Sequence, residues 1–295
     1  MMILPLFLVL AGTLPAPGDT LMEVGPGDRL VVSYLEGSVT VEGWDRSAVL
    51  VEAGRGEFPE VRLRRVGDKI EVRPEPRGDA EDDYRIRLPF WMGVGVSGRD
   101  LDVEIRGSEG EISVRTLDGD ILLRDLAGAV EAVSSDGEVE AIGLTGTAIL
   151  RTGDDDLWVT RSSGSLELET VDGDLILEGL RSSRIRLRTT DGDVAFSGAL
   201  LKGGEYRFFT HGGDVQLRLE GPVHADARIL AYDGELESDF PIRATGYRSG
   251  EPLRFVLGDG GARLEVETFD GEVRILRAGG GWTPAHPRAG SSPWR

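Results

Sequence analysis

Thr170-Val171-Asp172-Gly173-Asp174-Leu175-Ile176-Leu177 decides how the rest of this chain is read. A hydroxyl residue precedes an Asp-Gly turn, a second acid follows it, and an aliphatic run then re-enters an apolar interior. The pattern recurs as Asp118-Gly119-Asp120-Ile121, Asp136-Gly137-Glu138-Val139, Asp191-Gly192-Asp193-Val194, Asp233-Gly234-Glu235-Leu236 and Asp270-Gly271-Glu272-Val273. A degenerate copy, Asp154-Asp155-Asp156-Leu157, sits eighteen residues after Asp136 and eighteen before Asp172. Later units lengthen, with Gly192, Gly213 and Gly234 each twenty-one residues apart. A fixed period of this size means one small structural unit stacked on itself.

Each unit carries two strand-like runs, one after the Asp-Gly turn and one after a weaker turn. The weaker turns include Gly128-Ala129-Val130, Gly146-Thr147-Ala148 and Gly164-Ser165-Leu166. Apolar residues alternate after every turn, as in Ile121 and Leu123, Val130 and Ala132, Leu166 and Leu168, Leu175 and Leu177, Ile185 and Leu187, and Val215 and Leu217. That period of two gives strands with a single apolar face. Two architectures fit. An antiparallel meander or sandwich would use each Asp-Gly as a hairpin turn. A parallel solenoid would stack equivalent turns above one another, and the hydroxyls Thr116, Ser134, Thr152, Thr170, Thr189, Thr210 and Thr268 favour it. Identical polar residues at equivalent positions are rewarded when they stack in register. The expected fold is therefore all-β, a β-solenoid or β-helix-like stack of two-strand coils, each about 18–21 residues long. A less regular β-rich region precedes it, and the antiparallel meander or sandwich stands as the alternative.

Composition bounds the partners. Among 295 residues, 52 acids face 33 bases, for a formal charge of −19. That sign repels nucleic-acid backbones and anionic lipid surfaces. Cysteine is absent, so an oxidising compartment is permitted without being required. Residues 1–18, with the apolar core Leu4-Pro5-Leu6-Phe7-Leu8-Val9-Leu10, read as a secretory signal too short to span a membrane. Residues 19–100 read as a β-rich cap and residues 101–277 as the repeat solenoid. The Gly/Pro-rich tail 278–295 lacks periodicity and is expected to be disordered.

The stretch Gly37-Ser38-Val39-Thr40-Val41-Glu42-Gly43-Trp44-Asp45, the Asp-Gly repeats, Gly234-Glu235-Leu236-Glu237-Ser238-Asp239-Phe240-Pro241 and the segment from Gly258 to Val273 occur in a particular order and spacing. Together they resemble a bacterial family of exported domains labelled as adhesins, domain of unknown function 4097. The resemblance implies an all-β, solenoid-like domain on the cell envelope, and it supplies no catalytic residues. Asp155 departs from the pattern, because the repeat places glycine there.

The acidic column is the strongest candidate for chemistry. Stacked turns would align Asp118, Asp136, Asp154, Asp172 and Asp191, with Asp120, Glu138, Asp156, Asp174 and Asp193 beside them. Like charges about 4.8 Å apart repel by roughly 1 kcal/mol in water-like dielectric, and calcium would relieve this. The competing reading makes these residues turn formers with solvated carboxylates. Catalysis is not expected, and no other cofactor is. The histidines are His211, His224 and His286, no nucleophile elbow or zinc-spaced pair is present, and the short turns build no cleft. Trp158, Tyr206, Phe208, Phe209 and Tyr232 are candidate surface aromatics for glycan binding, some of which must be core. The expected function is a non-catalytic exported module at the periplasm, envelope or cell surface that binds a protein or glycan. A regulatory or structural partner of another envelope protein is the alternative, and a carbohydrate-active enzyme is a more distant one.

Overall fold

The computed structural model describes residues 20–53, 61–74, 82–242 and 251–279. The expected signal and the segment 280–295 lie outside them. The strands are β1 (Thr20–Glu23), β2 (Arg29–Trp44), β3 (Ala48–Ala53), β4 (Val61–Val66), β5 (Lys69–Pro74), β6 (Asp82–Pro89) and β7 (Gly93–Arg106). Short paired strands follow as β8 (Ile112–Arg115), β9 (Ile121–Arg124), β10 (Ala127–Val133), β11 (Val139–Ile142), β12 (Thr145–Arg151), β13 (Leu157–Thr160) and β14 (Ser163–Glu169). Then come β15 (Leu175–Arg188), β16 (Val194–Gly198), β17 (Glu205–Phe209), β18 (Val215–Leu219) and β19 (Ala225–Ala231). The last are β20 (Leu236–Ser238), β21 (Leu253–Leu257), β22 (Ala262–Thr268) and β23 (Val273–Arg277).

The chain is all-β and coils as a β-solenoid, because every repeat strand pairs in parallel with its equivalent one coil away. One sheet runs β7–β8–β10–β12–β14–β15–β17–β22–β19. The other runs β7–β9–β11–β13–β15–β16–β18–β23–β20. β7 and β15 are long enough to serve both sheets, one half in each. Residues 121, 123, 130, 132, 166, 168, 175, 177, 185, 187, 215 and 217 all join a contiguous buried core between the sheets. The antiparallel meander is thereby excluded for the repeats: among the described residues, antiparallel pairs occur only toward the two ends, as β1–β3, β3–β6, β4–β5 and β19–β21. Such strands lie where an unpaired parallel edge would otherwise invite further pairing.

Both ends are interleaved. The two halves of β2 lie between β5 and β6 on one side and β7 on the other. At the far end β22 and β23 lie between the β17–β18 coil and the β19–β20 coil. The turn glycines therefore stack in the order Gly192, Gly213, Gly271, Gly234. The regular step of twenty-one made Gly234 read as the neighbour of Gly213; the later Gly271 coil is instead inserted between them.

Outside the core, the first sheet is laced with ion pairs between rungs. Arg151 meets Glu167 and Glu169, Arg186 meets Glu167, and Arg228 meets Glu265 at 2.6 Å. These pairs are half exposed, so each adds little stability. They nevertheless spread opposite charge over a strongly acidic chain.

Candidate functional site

The Asp-Gly corner is built by close approach. A Cβ added at Gly137, Gly173, Gly192, Gly213, Gly271 or Gly234 would overlap the carbonyl of the residue stacked beneath it. None of these glycines has a left-handed φ, so the requirement is for space rather than for unusual dihedrals. Asp155 occupies the same column and its carbonyl lies directly beneath Gly173.

Two ladders finish the corner. The hydroxyls stack in register as expected, but they are buried and bond backbone instead of one another. Thr152 Oγ1 donates to Gly137 O at 2.7 Å, Thr189 Oγ1 to Gly173 O at 3.1 Å, Thr210 Oγ1 to Gly192 O at 2.9 Å and Thr268 Oγ1 to Gly213 O at 2.9 Å. Ser134 also accepts from Gly137 N–H at 3.0 Å. In this way buried polar turn atoms keep partners.

The second-acid column makes the other ladder. Asp120 Oδ1 accepts from Glu138 N–H at 2.9 Å, Asp156 Oδ1 from Asp174 N–H at 2.9 Å, and Asp174 Oδ1 from Asp193 N–H at 2.8 Å. The ladder extends to residues absent from the candidate set: Asp102 accepts from Asp120 N–H, Asp193 from Asp214 N–H, and Asp214 from Glu272 N–H. The spacing of Asp102 and Asp214 from their neighbours was the available signal. At Glu138 the series changes hands, and Asp156 N–H turns to Asp155 Oδ1 at 3.2 Å. Asp174 and Asp193 remain solvent-exposed, yet partial desolvation by the flanking turns pushes their carboxyls above the usual range, and neighbouring acids add to it.

The calcium candidates thus fall into two columns. Asp118, Asp136, Asp154, Asp172 and Asp191 stand exposed on the corner. Asp120, Asp156, Asp174 and Asp193 give one carboxylate oxygen each to a backbone or neighbouring N–H. No group of three or more acids or histidines comes together as a metal cage among the described residues.

Between the hydroxyl and the first acid lies a third column, in stack order Leu117, Ser135, Gly153, Val171, Thr190, His211, Phe269 and Tyr232. Leu117, Val171, Phe269 and Tyr232 are 41–49% exposed, large apolar side chains held in water on one line. At its far end the rings stack. His211 lies 5.0 Å from Phe269 at 19°, and Phe269 lies 4.7 Å from Tyr232 at 7°. Of the expected surface aromatics, Tyr232 is on this ridge, whereas Tyr206 and Phe208 are core. Phe209 faces outward beneath the Arg188 guanidinium. Trp158 faces outward yet is buried.

The opposite corner has its own period. Gly107, Asp125, Gly143, Arg161 and Gly179 all adopt left-handed φ, between 49° and 71°. Near the last coil, one depression of about 400 Å³ is lined by Asp226, Arg228, Phe255 and Glu265. Another, about 460 Å³, is lined by Ile229, Leu236, Ile242 and Leu253. Neither contains histidine or a nucleophile beside a base.

Residues 150–276 match the family described as Toastrack DUF4097. No curated protein matches the chain. Among solved structures, a "putative cell adhesion protein" from Clostridium sporogenes ATCC 15579 is 9% identical with a TM-score of 0.20, covering 88% of this chain and 98% of that one. A "putative adhesin" from Parabacteroides merdae ATCC 43184 is 8% identical with a TM-score of 0.34, covering 88% and 95%. Likenesses that loose say nothing of function.

Proposed function

We propose that the chain, whose residues 150–276 match the Toastrack DUF4097 family, is a non-catalytic binding module of the cell envelope. The carrying observation is the ridge that ends in His211, Phe269 and Tyr232, where apolar side chains stay exposed beside a column of acids. Apolar surface left in water along one line marks a place where something binds. The stacked rings cover one another's faces, so a sugar ring could lie only against an end of the stack. An extended protein segment with apolar and cationic side chains matches the whole line, apolar groups on the ridge and cations on the flanking acids.

A non-catalytic role is further supported by the second-acid column, in which Asp102, Asp120, Asp156, Asp174, Asp193 and Asp214 each give one oxygen to a backbone N–H of the next coil. The test is capture from envelope extract by the exported chain, compared with Phe269→Ala and Tyr232→Ala variants that melt normally. Loss of the same captured protein in both variants supports the reading; undiminished capture overturns it. A glycan array with a hydrolysis readout separates the glycan-binding and enzyme alternatives.

A further inference from the structure

The last corner of the stack lacks what holds the others. A buried hydroxyl stands two residues before each earlier turn of the column, as Thr189 does before Asp191 and Thr268 before Asp270. Before Asp233 that place is filled by Ala231. Thr268 donates to Gly213 O beneath it, whereas Ala231 has nothing to give the Gly271 carbonyl, against which Gly234 packs. The acid ladder stops here as well. Asp214 accepts from Glu272 N–H at 2.8 Å, but Glu272, next in that column, turns to Arg274. The glycines at 119, 137, 173, 192, 213 and 271 are buried, while Gly234 is half-buried and no described glycine packs on its carbonyl.

Asp-Gly is also the pairing in which an aspartyl side chain is most open to attack by its own backbone, because glycine sets no Cβ in the path of its amide nitrogen. Ring closure requires the peptide plane between the two residues to rotate. A corner stacked on both sides resists that rotation, and an end coil, which opens at lower cost, allows it.

We propose that Asp233-Gly234 is a self-modification site, where an isoaspartyl bond forms through a succinimide in preference to the other Asp-Gly turns of the repeat. Gly234 N attacks the Asp233 carboxyl carbon; an N–C bond forms, and the amide proton leaves with a carboxyl oxygen as water. Water then adds to the ring carbonyl that was the Asp233 backbone carbonyl and breaks its bond to nitrogen. The chain thereafter runs through the Asp233 side chain, with one more backbone carbon and an unchanged mass. Opening at the other carbonyl restores aspartate. Water is the only co-reactant.

Outside the repeat, Asp259-Gly260 is held differently. Gly260 N–H donates to Leu257 O at 3.1 Å, so the nitrogen that would attack is engaged, and Asp259 N–H donates to His224 Nδ1 at 3.0 Å. At Asp233 the added carbon lengthens the turn that sets Leu236 opposite Val273 and keeps Tyr232 stacked on Phe269. The reaction needs nothing bound to the ridge, so the site holds whatever the ridge binds.

Asparagine is absent from the chain, so every isoaspartyl bond found arises from aspartate. The full chain is aged in warm neutral buffer made with oxygen-18 water, and its peptides are then mapped by mass and by methyl transfer from an isoaspartyl-specific methyltransferase. Both labels are expected to enter the Asp233-Gly234 peptide about tenfold faster than the peptides holding Asp118, Asp136, Asp172, Asp191 or Asp270, as for a turn that opens locally. In urea the turns are expected to label alike. Ala231→Thr, which returns a hydroxyl to the Gly271 carbonyl, is expected to slow labelling severalfold. Asp233→Glu, which closes only a six-membered ring, is expected to lose the label at this site. Even labelling across the folded chain overturns the proposal, as does faster labelling at another turn. A preference for Asp233 that persists in urea overturns it too, since the selection would then come from neighbouring residues and not from the fold.

Discussion

At the scale of single residues, the corner glycines are set by space and the opposite corner by dihedral angle, and the two demands predict opposite outcomes. Gly192→Ala drives a methyl group into the Gly173 carbonyl, which costs several kcal/mol, on the order of an overpacked core. Gly25→Ala meets nothing within 4 Å and should change stability by less than about 0.5 kcal/mol. Urea unfolding of the two variants checks the contrast. Arg161 carries a left-handed φ of 49° in a column otherwise filled by glycine and Asp125. Its replacement by glycine should stabilise the fold by up to about 1 kcal/mol, because the left-handed penalty exceeds the glycine entropy cost. The Asp-Gly column was legible in the sequence because both residue type and spacing repeat there. The left-handed column was not, since glycine, aspartate and arginine share no chemistry, only a backbone angle.

At the scale of the element, each corner is a hydrogen-bonded ladder, and its two columns respond to different treatments. Thr210→Val removes a donor from the Gly192 carbonyl in a fully buried site and should cost about 1–3 kcal/mol, whereas Thr210→Ser should recover most of it. The acid ladder titrates. Asp174 and Asp193 have folded pKa values raised above 3.8, so the folded chain holds their protons more tightly than the unfolded chain. Stability from these groups should therefore rise as pH falls from neutrality through their folded pKa values, and stop rising near the unfolded value. Asp193→Asn keeps an Oδ1 acceptor for Asp214 N–H while removing the charge. It should raise the neutral-pH melting temperature and flatten that pH dependence, by less than about 1 kcal/mol because solvent screens groups so near the surface. A melting temperature that falls, or a slope that stays, contradicts this assignment. Repeated acids suggested a cation site on residue type alone. What the sequence could not display was the backbone N–H that each carboxylate accepts, because those partners lie a whole coil away.

At the scale of the molecule, parallel stacking was readable from in-register hydroxyls and alternating aliphatics, but the order of the coils was not. Gly234 follows Gly213 by a regular step, yet residues 262–277 occupy the coil between them. Nothing local records an insertion made by residues that come later in the chain. It has a measurable consequence. Deleting residues 251–277 should abolish amide protection in β19 and β20, although these strands precede the cut, because the coil joining them to β17 and β18 is gone. Protection that persists in 225–238 would contradict the insertion. The same interleaving governs how the molecule bears force. β23 carries hydrogen-bonded neighbours on both flanks, β18 and β20. A pull transmitted through residue 277 therefore cannot unzip the stack one rung at a time from its end. It must slide a clasped strand past two partners at once, so a tether at this end is anchored inside the stack instead of at its edge.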